Sequence, residues 1–251
     1  MTLNEIIVLI VIFFVTSLVG VITGSNSLIS VPAMFQFGIE PRVAVATNMF
    51  GLVFMAIGGT IPFVRQGKID FKKLTPLILL TVVSSAIGAA LVGLITNEVI
   101  KLIVSIAMIA VVVFTLVRGR STSGETVVSG RAVYLTYGLT FALGIYGGLY
   151  SGGYVTILTA TLIAFFGMSY SESIGATKLI NVFSSSIAAA IFAWQGLINY
   201  RLGAILGIAM FIGAYLGAHY ASRMNDFWLK QIFLVTVFLL AVVTLYDLFR
   251  T

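Results

Sequence analysis

Cysteine is absent from these 251 residues, so disulfides and thiolate chemistry are excluded, and cysteine usage carries no message about the redox compartment. Charge is scarce as well. Asp, Glu, Lys and Arg make up 9% of the chain, where a soluble domain carries about 25%. Hydrophobic residues account for 60% and the mean hydropathy is +1.14, which excludes a soluble fold. The longest clearly polar stretch, 118–131, is too short for an extramembrane domain. The N-terminus lacks the basic region and small-residue cleavage site of a signal peptide, so 3–22 is expected to stay as a membrane span. No His/Asp/Glu cluster has metal-ligand spacing, and neither a Ser/His/Asp set nor a phosphate loop occurs. Those absences argue against an enzyme, a metal and any other cofactor. The net charge of +6 sits in loops, as the positive-inside bias expects, and does not point to nucleic acid.

What is present is one pattern stated twice. Phe37-Gly38 recurs as Phe166-Gly167, Ala46-Thr47 as Ala176-Thr177, the run from Gln66 to Lys72 as Gln195 to Arg201, and Gly88-Ala89 as Gly217-Ala218. The offset is 129 or 130 residues, so one residue slips between anchors. Internal repeats in a multi-span chain are the usual construction of transporters, with the substrate near the midplane where the repeats meet. The division expected is a first membrane repeat at 1–117, a cytoplasmic linker at 118–131 and a second repeat at 132–251.

A helix needs about 20 apolar residues to cross the hydrocarbon. Runs 43–64, 74–97, 99–117, 179–200, 202–222 and 229–246 meet that length. Runs 6–39 and 132–171 exceed one helix, and each is broken by small and polar residues, at 23–27 and at 147–153. Each therefore holds one full span and a short second segment, 28–37 and 154–166. The fold class expected is an all-α polytopic membrane protein with eight full transmembrane helices and two short or re-entrant ones. If the short segments do not cross, Lys and Arg divide nine against five between the two sides; if they cross, ten against four, and the repeats are inverted. Both arrangements put loops 65–73 and 118–131 in the cytoplasm. Inversion is favoured because equivalent loops carry unequal charge: Arg65, Lys68, Lys72 and Lys73 against Arg201 alone. Ser84-xxx-Gly88, Gly213-xxx-Gly217 and Gly203-xxx-Gly207 read as close helix contacts, and Gly67 and Gly196 as left-handed helix stops.

The two breaks are the first candidate site. Backbone unwound at membrane depth is tolerated only against protein or a water-filled cavity, and the start of the short helix that follows offers an anion site. Ser25, Asn26, Ser27, Ser151, Gly152, Gly153 and Tyr154 belong to this reading; its rival is an ordinary turn at the membrane surface. Lys178 lies about seven residues inside a span, roughly 10 Å deep at 1.5 Å per residue. A buried lysine marks a pathway or a partner, unless its stem carries the charge back to the interface. Asn48, after the shared Ala46-Thr47, is read as its counterpart in the first copy, as Thr47 is of Thr177. Asn181, Ser184 and Ser185 continue a polar stripe along the lysine helix, either a cavity wall or interhelical glue. His219, the only histidine, is a candidate for proton coupling or an interfacial residue. Every carboxylate falls near a predicted span end, so no acidic relay crosses the midplane.

Gly24, Val31-Pro32, Phe37-Gly38, the run from Val43 to Thr47 and the run from Gly67 to Phe71 resemble the first repeat signature of the sulfite exporter TauE/SafE family, described also with the toluene-sulfonate uptake permeases. Gly147-Gly148, Ser151-Gly152-Gly153, Phe166-Gly167, the run from Gly175 to Lys178 and Gly196 resemble its second. The resemblance covers about 10–248. It implies carriage of small sulfur-containing or organic anions, such as sulfite or sulfonates like sulfoacetate, usually as export. The first break departs from the family's glycine-dense form, reading Gly24-Ser25-Asn26-Ser27. The reading is a secondary transporter working by alternating access, with Ser25, Asn26, Ser27, Thr47, Asn48, Ser151, Gly152, Gly153, Tyr154, Thr177, Lys178 and Asn181 holding the substrate. An anion channel or a non-transporting scaffold is the alternative. Partners expected are a small anion, the lipid bilayer and a coupling proton or sodium ion, with a homodimer left open. The location expected is the prokaryotic cytoplasmic membrane.

Overall fold

The computed structural model of the chain describes residues 1–24, 26–118, 130–229, 231, 232 and 235. Among these residues every element is a helix: α1 Leu3–Thr23, α2 Asn26–Gln36, α3 Pro41–Arg65, α4 Phe71–Val92, α5 Asn97–Arg118, α6 Gly130–Leu149, α7 Tyr154–Phe166, α8 Tyr170–Trp194 and α9 Tyr200–Ala221. Six of them, α1, α3, α4, α6, α8 and α9, are long and apolar enough to cross a membrane. The chain is thus an integral membrane protein, all-helical over its described residues. The expected span 99–117 is helical as α5, while most of the expected span 229–246 and of linker 118–131 lies outside the described residues.

Local chemistry sets the starts and stops. The Thr2 hydroxyl accepts from Glu5 N while the Glu5 carboxylate accepts from Thr2 N at 2.8 Å, a capping box that opens α1. Ser169 and Glu172 do the same for α8. This α8 start corrects the expected span 179–200: the uncharged-run criterion stopped at Lys178, but the helix begins nine residues earlier, at Tyr170. Similarly, α4 ends at Val92 rather than near Asn97. Asp70 and Asn199 open α4 and α9 by accepting from the amides three residues on, at 3.0 and 3.1 Å.

All positive-φ residues described are glycines: Gly24, Gly38, Gly67, Gly153, Gly167 and Gly196. They form three pairs, each 129 positions apart. The caps Asp70 and Asn199 share that spacing, as do both ends of the equally long helices α3 and α8. A constant offset across two unbroken helices leaves no room for the one-residue slip inferred at Ala46-Thr47. In helix register Asn48 stands level with Thr177, and Lys178 with Met49.

Glycine contacts fix the helix directions. Gly175 lies on Phe63 and Gly59 on the Lys178 stem, so α3 and α8 run antiparallel. Gly203 rests on Thr47 and Phe50 and Gly207 on Phe54, so α3 and α9 run parallel. Gly213 and Gly217 meet the backbone at Phe14 and Leu18, setting α1 parallel to α9. Gly144 and Gly148 pack on Ser84 and Ser85, setting α6 parallel to α4. At Gly88 the backbones approach most closely: an added Cβ would land on the Ile145 carbonyl. Such contact replaces the hydrophobic drive that lipid does not supply.

Candidate functional site

The two breaks meet. Ser27, in the first turn of α2, and Ser151, in the second break, share a hydroxyl-to-hydroxyl hydrogen bond of 2.7 Å across 124 residues of chain. Tyr150 donates its hydroxyl to the Ser27 carbonyl at 2.8 Å, and Thr156 in α7 donates to the Thr23 carbonyl at 2.6 Å. Gly24, with φ of 73°, is needed for this closeness, since a Cβ there would sit 2.6 Å from Thr156 N. Each short helix therefore starts against the other's break, with its positive dipole end directed into the junction.

From Ser27 a buried polar chain runs inward. Asn48 Nδ2 donates to Ser27 Oγ at 2.9 Å, and Ser30 Oγ lies between the amide oxygens of Asn48 and Asn26, at 2.9 and 3.0 Å. Asn26 Nδ2 donates to Thr16 and Ser17 on α1. All of these residues except Thr16 are buried. On the other side of the junction the Thr159 and Thr177 hydroxyls lie 3.3 Å apart. Ser30–Asn48 and Thr159–Thr177 are the same pair, 129 positions on.

Lys178 is 2% exposed. Its stem passes Gly59, and Nζ donates to the Gly20 carbonyl at 3.1 Å. Gly20 in turn abuts Asn26. The side chain thus turns into the protein, onto the negative end of α1, and the reading in which it returns to the interface does not hold in this arrangement. Among the described residues no carboxylate pairs with it. One turn on, Asn181 is 4% exposed and its carboxamide makes no hydrogen bond among the described residues.

The remaining expected residues divide. Gly153, left-handed, precedes the first residue of α7, and the Gly152 carbonyl accepts from the Tyr146 hydroxyl. Tyr154 is fully buried with its ring on Gly147. Ser25 lies outside the described residues. The Thr47 hydroxyl faces elsewhere, accepting from Asn199 N at 3.0 Å, so it anchors the turn between α8 and α9. His219 lies in the last turn of α9, flanked by Tyr215 and Tyr220, and among the described residues its contacts include none of the junction. Sequence reasoning missed Ser30, Tyr150, Thr156 and Thr159. The repeat offset could have found three of them, because Ser27 and Ser30 align with Thr156 and Thr159.

A family profile described as Sulfite exporter TauE/SafE matches residues 8–244. A Sinorhizobium protein named Probable membrane transporter protein ORF9 is 24% identical over 93% of this chain and 90% of its own length. The Probable membrane transporter protein of Haemophilus influenzae is 23% identical over 93% and 92%. The one named YfcA from Escherichia coli K12 is 25% identical over 94% and 89%. No solved structure matches the chain.

Proposed function

This chain belongs to the sulfite exporter TauE/SafE family of membrane transporters, and on that footing we propose that it is a secondary carrier of small sulfur-containing or organic anions, sulfite and sulfonates foremost. The observation that carries the reading is the Ser27–Ser151 contact, which brings two helix breaks from opposite halves of the sequence to one place. Two short helices start there, and a buried lysine without a carboxylate partner among the described residues reaches the end of α1 beside it. That combination of dipole ends, neutral donors and one cation suits a single small anion.

Alternating access then follows from the two halves. Support for inverted repeats comes from the antiparallel course of α3 and α8 and from the paired glycines and caps. With Lys68, Lys72 and Lys73 in the cytoplasm, the α8–α9 turn faces outward. Substrate would meet Asn26, Ser27, Asn48, Ser151, Gly152 and Gly153 at the junction and Thr177, Lys178 and Asn181 beside it; the Tyr154 hydroxyl, expected there too, lies instead with Thr81 and Ser184. The location proposed is the cytoplasmic membrane of a prokaryote, in the direction of export. Family membership weighs against the scaffold reading; the anion channel is the surviving alternative.

Counterflow in liposomes tests the proposal. Vesicles preloaded with sulfite should take up labelled sulfite transiently and saturably. Uptake without stimulation by internal sulfite would make the protein a channel, and no uptake of sulfite or sulfonates would refute the substrate class.

A further inference from the structure

A second buried polar cluster lies away from Lys178, where α4, α6, α7 and α8 meet. The Tyr154 hydroxyl is beside those of Thr81 and Ser184. Tyr154 and Thr81 are both wholly buried, and neither hydroxyl oxygen has a hydrogen bond of ordinary geometry. Ser184 is held by Ser85 at 2.7 Å, and Ser85 also donates to the Gly144 carbonyl at 3.1 Å. Thr140, one turn before Gly144 on α6, is a third buried hydroxyl without a partner. Buried hydroxyls are nearly always bonded in proteins; those of Tyr154, Thr81 and Ser184 face one another without closing good bonds, so their lone pairs are open to a ligand held between them.

The chemistry of the surroundings selects a cation. The cluster flanks the last turns of α6, around Gly144 and Gly148, and Tyr154 lies on Gly147. A helix C-terminal end is negative and favours positive charge. At the matching end of α1 that role is taken by Lys178, whose Nζ sits on the Gly20 carbonyl. In repeat register the counterpart of Lys178 is Met49, so the α6 end receives no fixed cation from α3. What it has instead is a set of neutral oxygens at membrane depth, with no carboxylate among them, and hydroxyls together with helix-end carbonyls are the donors that hold small hard cations in broken-helix carriers. Neutral oxygens suit a monovalent ion, since divalent ions are held by carboxylates.

We propose that Tyr154, Thr81, Ser184 and Ser85, with the carbonyl end of α6, form a sodium site, distinct from the place of the anion. Sodium binding there does not depend on the transport reading; its use as the coupling ion does.

The test uses the purified protein in detergent without any sulfur anion, at constant chloride, with sodium exchanged for choline. Sodium at about ten times its dissociation constant should raise Tm by about 3 °C. Tyr154→Phe and Thr81→Val each remove one oxygen while keeping the shape, and should weaken sodium at least tenfold. Thr81→Ser, which keeps the hydroxyl, should respond as the parent does. An equal response to choline, no response at all, or an undiminished response in both oxygen-deleted variants would overturn the site and leave a hydrated hydroxyl cluster. Anion counterflow by a protein that ignores sodium would sink this site alone; sodium binding without anion counterflow would sink the anion reading alone.

Discussion

Replacing Lys178 by methionine separates its part in folding from the part in anion recognition proposed for it. Methionine keeps most of the volume along Gly59 and Val21 but removes the charge. The folded state loses one hydrogen bond, from Nζ to the Gly20 carbonyl. That carbonyl keeps a second donor, Gly24 N at 2.8 Å, so no acceptor is orphaned. Replacing a buried charge by an apolar side chain of similar size is often neutral or stabilising. Lys178→Met should therefore unfold within about 1 kcal/mol of the parent, or above it. Lys178→Ala, which leaves a cavity, should cost about 2–5 kcal/mol. Anion binding should move the other way. A hydrogen bond to a charged group contributes about 1.5–3 kcal/mol, so the methionine variant should bind sulfite about 10- to 150-fold more weakly at 1.4 kcal/mol per decade. Thermal denaturation over a sulfite titration reads both quantities in one experiment. A methionine variant that binds sulfite within threefold of the parent would refute the role given to Lys178. One as unstable as the alanine variant would refute the packing argument.

Other expectations follow from single contacts. Gly88→Ala should cost about 1–3 kcal/mol or prevent folding, because the methyl group meets the Ile145 carbonyl. Gly138→Ala, with nothing within 4 Å, should stabilise α6 by up to about 1 kcal/mol; thermal scans in detergent compare the two. Ser27→Ala and Ser151→Ala should show a coupling of about 0.5–1.5 kcal/mol in a double-mutant cycle of stability, and purely additive effects would mean the breaks do not bond. The chain has no cysteine of its own, so single introduced thiols report topology cleanly. Lys68→Cys should react with an impermeant maleimide only from the cytoplasm and Arg201→Cys only from outside, while labelling of both from one side would exclude inverted repeats.

The helix stops were legible because they are coded locally: the glycines at 67 and 196 stop helices wherever the chain lies, whereas the capping boxes Thr2–Glu5 and Ser169–Glu172 were not read. The short helix α7 matches its expected range end to end, since Gly153 and Gly167 bound it on both sides. Run length misplaced the start of α8, because a lysine inside a membrane helix looks like the edge of one until its burial is known. The junction was half legible. Ser27 and Ser151 stood out as polar residues in the two helix breaks, but Ser30, Thr156 and Thr159 sit in apolar helices, where a hydroxyl usually bonds back to its own turn. The hydroxyl cluster at Thr81 was not legible, because it needs side chains from four helices and no local pattern joins them. Thr47 shows the opposite error, a shared dipeptide whose hydroxyl serves a turn 152 positions away.

The central claim is that the junction of the two breaks carries sulfur anions past Lys178. Currents on a solid-supported membrane, recorded after jumps of sulfite, sulfoacetate, sulfate and a chloride control, test it most directly. Saturable currents for sulfite and sulfoacetate, absent for chloride and abolished in Lys178→Met, are the predicted result. Currents of the same size in the parent and in Lys178→Met would contradict it.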